Sequence, residues 1–233
     1  MSNLVEYIPI LTTIGAVFFA REILLHYRRS KTTYLMWWTI GVIAFGLGTL
    51  TESVNVLFGW SELNTKFWYI VGALLGGFPL AQGSVYLLMN RKFAHATTIL
   101  IVSTIVIAAV CVMLSPIALP IGFEDKLTGR VFEWQWIRLF SIPINIYAMI
   151  FLVGGAIYSA LKYYALSDHQ ARFKGNVFIA IGALLPGIGG TFTRMGHVEV
   201  LYVTELIGLF LIYVGYKIIK TNNQQNKTDS TQS

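Results

Sequence analysis

Two carboxylates and two guanidinium groups stand at matching depths in otherwise apolar stretches of this chain. Glu52 lies about 9 Å from the end of its stretch, at 1.5 Å of helix rise per residue, and Glu205 about 6 Å from the start of another. Arg138 opens a third stretch and Arg194 closes a fourth. Charge inside a membrane is costly and usually faces the bundle interior or a wet cavity. Two readings follow. One is a polar pocket in which Glu52 or Glu205 anchors a ligand or carries a proton. The other is a set of buried Glu–Arg pairs that lock the helices together.

Below this layer come Asn55 and Ser53, Gln82 and Ser84, and Asn145, which follows the carbonyl-freeing Pro143. Amides at such positions either bridge helices or line a cavity. A cavity would be continuous with residues 175–194, GNVFIAIGALLPGIGGTFTR, which carry no charge before Arg194. Pro186 removes a backbone donor there, and Gly187, Gly189 and Gly190 loosen the turn. The expectation is a kinked or broken helix, acting as hinge or as coordinating backbone, with its break turned away from lipid.

Other chemistry is harder to build. The single cysteine, Cys111, lies in an apolar run, and neither C-x-x-C nor H-E-x-x-H occurs. His26, His95, His169 and His197 fall in separate loops without ligand spacing. There is no G-x-S-x-G and no membrane-embedded histidine to serve as a base. No catalytic residue, metal or cofactor is therefore expected, and an intramembrane enzyme ranks behind a binding protein.

The elements that position these residues follow from composition. The chain has 233 residues, 55% hydrophobic and only 12% charged, whereas soluble domains carry about 25% charge. Seven stretches approach the roughly 20 apolar residues that cross a bilayer: 4–25, 34–58, 67–89, 96–117, 137–161, 175–194 and 201–216. They define an all-α, seven-helix membrane bundle over residues 1–220, with a polar tail, 221–233, expected to be disordered. The start, MSNLVEYIPI, lacks a basic leader region, so the first span is expected to be retained.

Eleven lysines and arginines collect on one side, in the loops after Arg28, Arg91 and Lys162 and beyond Lys217. Five collect on the other: Lys66, Lys126, Arg130, Arg138 and Arg194. The positive-inside rule then places the C-terminus in the cytoplasm and the N-terminus outside. Basic residues in short loops encode topology, so no nucleic-acid partner is implied. Trp60, Trp68, Trp134 and Trp136 gather at the outer boundary and Trp37 and Trp38 at the inner one, as anchoring belts do. Trp60 and Trp68, flanking a short loop, are the best placed to touch a ligand instead. Glycines at 41, 46 and 48, at 72, 76 and 77, and at 154 and 155 suit close helix packing.

Seven helices with the N-terminus outside resemble the topology of microbial rhodopsins and membrane receptors. A rhodopsin needs a lysine midway along its last helix, and LYVTELIGLFLIYVGY has none before Lys217. The stretches GTLTESVNVLFGW, PLAQGSVYLL, NVFIAIGALLPGIGG and VTELIGLFLIYVGY resemble a family of bacterial multi-pass proteins without an assigned activity. That resemblance implies a bacterial plasma-membrane protein and transfers no catalytic residue.

The expected function is binding, most plausibly transport, of a small molecule or lipid. Glu52, Asn55, Gln82, Arg138, Asn145, Arg194 and Glu205 would line the site. A receptor signalling from the same pocket to a cytoplasmic partner is the alternative. The sequence also allows a homo-oligomer.

Overall fold

The computed structural model describes residues 4–123, 125–164, 166 and 169–232, with backbone alone at 194 and 226–232. Among these, seven helices are long and apolar enough to cross a membrane. They are α1 (Leu4–Ser30), α2 (Thr33–Phe58), α3 (Glu62–Leu88), α4 (Arg91–Leu114), α5 (Gln135–Tyr164), α6 (Gln170–Arg194) and α7 (Val198–Gln232). Most helices run further than the apolar stretches, because flanking Lys, Arg, Glu and Gln are good helix formers. Polar caps start two of them: Ser61 accepts the Asn64 N–H at 3.3 Å, and Asn90 accepts that of Phe93 at 2.9 Å. The helix of α7 also runs through residue 220, where a disordered tail was expected, and continues to Gln232. Its Lys, Asn and Gln residues are compatible with prolonging a helix already nucleated upstream.

Polarity is turned inside out, as a multi-pass membrane protein requires. Ile99, Leu100, Phe18 and Phe210 face outward, while Glu52, Gln82, Thr12, Thr49 and Ser84 are buried. Helices α1, α2, α3, α5, α6 and α7 close a ring in that order, and α4 packs outside it against α3 and α5. Odd-numbered helices start at one face, here the N-terminal face, and even-numbered ones start at the other, the C-terminal face.

The tightest contact joins α6 to α7. Gly175, Gly182 and Gly189 recur every seven residues along α6, opposite Gly215, Gly208 and Leu201 of the antiparallel α7. A Cβ placed on Gly182 would fall 2.6 Å from the Gly208 carbonyl oxygen, and one on Gly208 would fall 2.6 Å from the Gly182 oxygen. The backbones therefore touch, as in small-residue seams generally.

The expected break in α6 is not found. Pro186, Gly187, Gly189 and Gly190 all lie inside one uninterrupted α6. The carbonyl that Pro186 leaves without its i+4 donor is that of Gly182, and the Gly208 backbone covers it. Thr191 and Thr193 donate to the carbonyls of Gly187 and Gly189, at 3.0 and 3.1 Å. Packing and hydroxyls thus hold the helix through its proline.

The irregular backbone lies elsewhere. In α3, residues Tyr69–Leu75 form a π-helical stretch that ends in a turn at Gly76 and Gly77, before Phe78 and Pro79 restart the helix. In α5, Met149–Val153 are π-helical too.

Candidate functional site

The structure brings Glu52 of α2 and Glu205 of α7 together. Their carboxyls lie within hydrogen-bonding reach of one another. Glu52 is 2% exposed, and its Oε1 accepts the Trp68 indole N–H at 3.1 Å. Glu205 is half-buried as a residue, but its Oε2 is fully enclosed. Neither Glu52 Oε2 nor Glu205 Oε2 receives a hydrogen bond from another residue, which leaves the two acids to share a proton between themselves. Among the described residues no lysine or arginine pairs with either acid. Among the described residues, then, no Glu–Arg lock is built.

Arg138 turns to its own helix, donating to the Gln135 side chain at 2.9 Å. The side chains of Arg194 and Lys227, like the whole of Glu124, lie outside the described residues.

The walls of this layer come from four elements. On α1, Thr13 lies 3.0 Å from the Thr49 hydroxyl and 3.3 Å from that of Ser53, which ties α1 to the α2 turn carrying Glu52. Buried Tyr202, one turn before Glu205, lies within electrostatic range of Glu52, Glu205, Glu199 and Glu6. Trp68 completes the wall from α3. Above, the loop 115–134 folds across the N-terminal face. Its Asp125 carbonyl accepts the Asn55 amide at 3.1 Å, and Phe123 packs edge-on against Trp60 at 5.3 Å. Lys126 reaches Glu199 at 3.8 Å, and Phe132 packs on Tyr69 at 5.1 Å. Under this cover Asn55 Oδ1 and Trp60 Nε1 are also buried without a hydrogen-bond partner. Four unsatisfied polar atoms thus collect at one end of the bundle, and each such group costs about 1–3 kcal/mol.

The other expected site residues do not join them. Gln82 is buried toward the C-terminal face, because α3 runs opposite to α2. Its amide donates to the Ala94 carbonyl at 2.9 Å and accepts the Tyr147 hydroxyl at 2.6 Å, joining α3, α4 and α5. Asn145 donates to the Ser141 carbonyl at 2.7 Å and to the Ala73 carbonyl at 3.3 Å. It satisfies an oxygen of the π-helical stretch and so repairs backbone. Both amides are structural bridges. Ser53 and Ser84 bond back to their own helices, at 2.8 and 3.3 Å.

One ionic cluster has no counterpart in the sequence reading. Glu22, on α1 near the C-terminal face, accepts Tyr213 at 2.9 Å, Lys217 at 3.1 Å and Lys220 at 2.9 Å, all from α7. The signal was present: an acid inside a span, with two lysines three residues apart at the same depth on another helix. The histidines are paired or stacked locally. His26 meets the Tyr216 hydroxyl at 2.9 Å, His95 meets that of Tyr86 at 2.9 Å, and His169 stacks on Tyr163. Among the described residues no group of three or more His, Cys, Asp or Glu is arranged to hold a metal.

The chain matches no protein-family model, no curated protein and no solved structure. Its function must be argued from the acid pair and its surroundings.

Proposed function

We propose that the chain is a multi-pass protein of a bacterial plasma membrane that binds, and transports, a small molecule or lipid at the Glu52–Glu205 layer. The observation that carries this reading is the contrast between two ways of burying an acid. Glu22 is neutralised by two ammonium groups and a hydroxyl. Glu52 and Glu205 face each other with one indole N–H between them. Two carboxylates in contact cannot both stay ionised, so the pair must share a proton or meet a cation or donor from outside. A fold that already balances one acid gains nothing in stability by leaving two others unbalanced, whereas a binding site does.

The orientation follows from charge. Arg28, Arg29, Lys31, Arg91, Lys92, Lys162, Arg172 and Lys174 gather at the C-terminal face, which the positive-inside rule makes cytoplasmic. The acid pair then opens toward the outside.

Mass spectrometry of what co-purifies in mild detergent tests the proposal, comparing wild type with Glu52→Gln and Glu205→Gln, each checked by thermal melt. A discrete species held by wild type and lost from folded variants is expected, and vesicles carrying the wild type should accumulate it. The same species retained by both folded variants would overturn the assignment.

A further inference from the structure

Resting on the reading that this layer binds a ligand, we propose that the Glu52–Glu205 pair recognises an organic ammonium ion, whose N–H donors the two Oε2 atoms accept. The chemistry of the donor set narrows the choice. The two free oxygens, Glu52 Oε2 and Glu205 Oε2, are acceptors without donors, and Glu52 is almost wholly buried. An anion is excluded by charge. A neutral molecule would bring no charge to replace the proton that two carboxyls in contact must otherwise share.

A bare metal cation fits poorly. Calcium takes six to eight oxygens and magnesium an octahedron, while the carboxyl pair offers few oxygens and one of them is engaged by Trp68. An indole N–H aimed into the layer is itself a donor and repels a metal. An ammonium group needs only two or three acceptors, which the pair supplies.

The surroundings agree. Tyr202 has Glu6, Glu52, Glu199 and Glu205 in electrostatic range, and Lys126 is paired with Glu199 at 3.8 Å. Four acids around one buried tyrosine favour a cation there. Trp68 and Tyr202 supply aromatic surface beside the carboxyls, the kind of wall on which the carbon skeleton of an organic cation packs.

The test is a thermal-shift series on the full chain in mild detergent. The probes are methylammonium, phenethylammonium, tetraethylammonium and spermidine. The controls are 2-phenylethanol, phenylacetate and the chlorides of sodium, magnesium and calcium. At a probe concentration about a hundredfold above its dissociation constant, the wild-type midpoint should rise by about 5 °C. Glu52→Gln and Glu205→Gln should lose most of that rise, and 2-phenylethanol, which has the same ring without the charge, should give none.

A second measurement needs no variant. Dicyclohexylcarbodiimide, which modifies carboxyls in apolar surroundings, should label Glu52 or Glu205 of the wild type, and the protecting ammonium should slow that labelling. Ammonium probes that neither shift the midpoint at about 10 mM nor slow the labelling would overturn the proposal. Protection by magnesium or calcium alone would overturn it in favour of a metal site. A co-purifying neutral or anionic species lost from both variants would remove the ammonium and leave the binding site standing. Absence of any species, together with unprotected labelling, would remove both.

Discussion

Glu205→Gln should make the protein more stable, and the size of the gain can be worked from the contacts. In the wild type, Glu52 Oε2 and Glu205 Oε2 are both buried without a donor, and each such acceptor costs about 1–3 kcal/mol. The substitution keeps the shape and removes one charge. It also brings an amide N–H₂ within reach of Glu52, because the two side chains already lie at hydrogen-bonding range. The amide supplies outright the donor that two acids in contact have only by keeping a proton, so about 1–3 kcal/mol should be recovered. For a chain of this size that is about 2–10 °C in melting midpoint.

The assay is a detergent melt followed by intrinsic fluorescence, with wild type and variant purified side by side without added amines. Trp68 keeps its bond to Glu52 Oε1 and serves as a local reporter. Greater stability with loss of ligand would place this layer among sites that sacrifice stability for function. A midpoint lowered by more than about 2 °C would refute the reasoning, because it would mean that the Glu205 charge holds the fold together.

Three further outcomes test the surrounding structure. Gly182→Ala should destabilise by about 1–3 kcal/mol, since its Cβ must fall 2.6 Å from the Gly208 oxygen and 2.9 Å from the Ile212 nitrogen. Gly187→Ala, whose Cβ meets nothing within 4 Å, should gain about 0.5–1 kcal/mol of helix stability; paired melts distinguish this from a hinge, which alanine would stiffen at the expense of activity. Glu22→Gln should lower stability by about 1–3 kcal/mol, and less so in high salt, by leaving two ammonium groups beside a neutral amide. Most of that loss belongs to Lys220, because the Lys217 side chain is 48% exposed and solvent screens its share.

How much of this was legible in the sequence depends on what kind of information each feature needs. The seven helices were legible because hydropathy alone sets span length and number. The Glu52 and Glu205 layer was legible because depth is counted along a helix. Which groups meet within the layer was not, because depth carries no azimuth. Counting residues sets Arg138 and Arg194 level with the acids, yet Arg138 bends to Gln135 and the acids meet each other. Gln82 and Asn145 satisfy partners on neighbouring helices whose order in the ring no single sequence states. The glycine seam was present as spacing, 175, 182 and 189 against 208 and 215, but Pro186 in the same run suggests a break. Proline predicts a missing hydrogen bond. Whether the helix bends depends on what covers the freed carbonyl, and here the partner backbone does.

That same logic locates where the bundle can move. The helix pair α6–α7 is fastened along its length by backbone contact, and α7 is fastened to α1 at the C-terminal face by the Glu22 cluster. Helix α3 is held through its centre by the Asn145 amide on the Ala73 carbonyl and by Phe132 on Tyr69, but its backbone is irregular there: the π-helical stretch starts at Tyr69, directly after Trp68, and ends at the Gly76–Gly77 turn. Wide-turn segments of this kind break the regular i→i−4 ladder and are frequent at functional sites. A small rotation of the short segment Glu62–Trp68 would withdraw the indole from Glu52 without disturbing the Gln82 network beyond the turn. The same segment carries Lys66, which bonds the Met113 carbonyl at 3.1 Å just before the covering loop begins. Seven residues of α3 thus contact both the acid pair and the end of the helix that leads into its cover. A ligand that replaced the Trp68 hydrogen bond would favour the open arrangement in proportion to its extra affinity for it. Under the proposed function, the junction in α3 is a place where binding at the acid pair would be converted into motion.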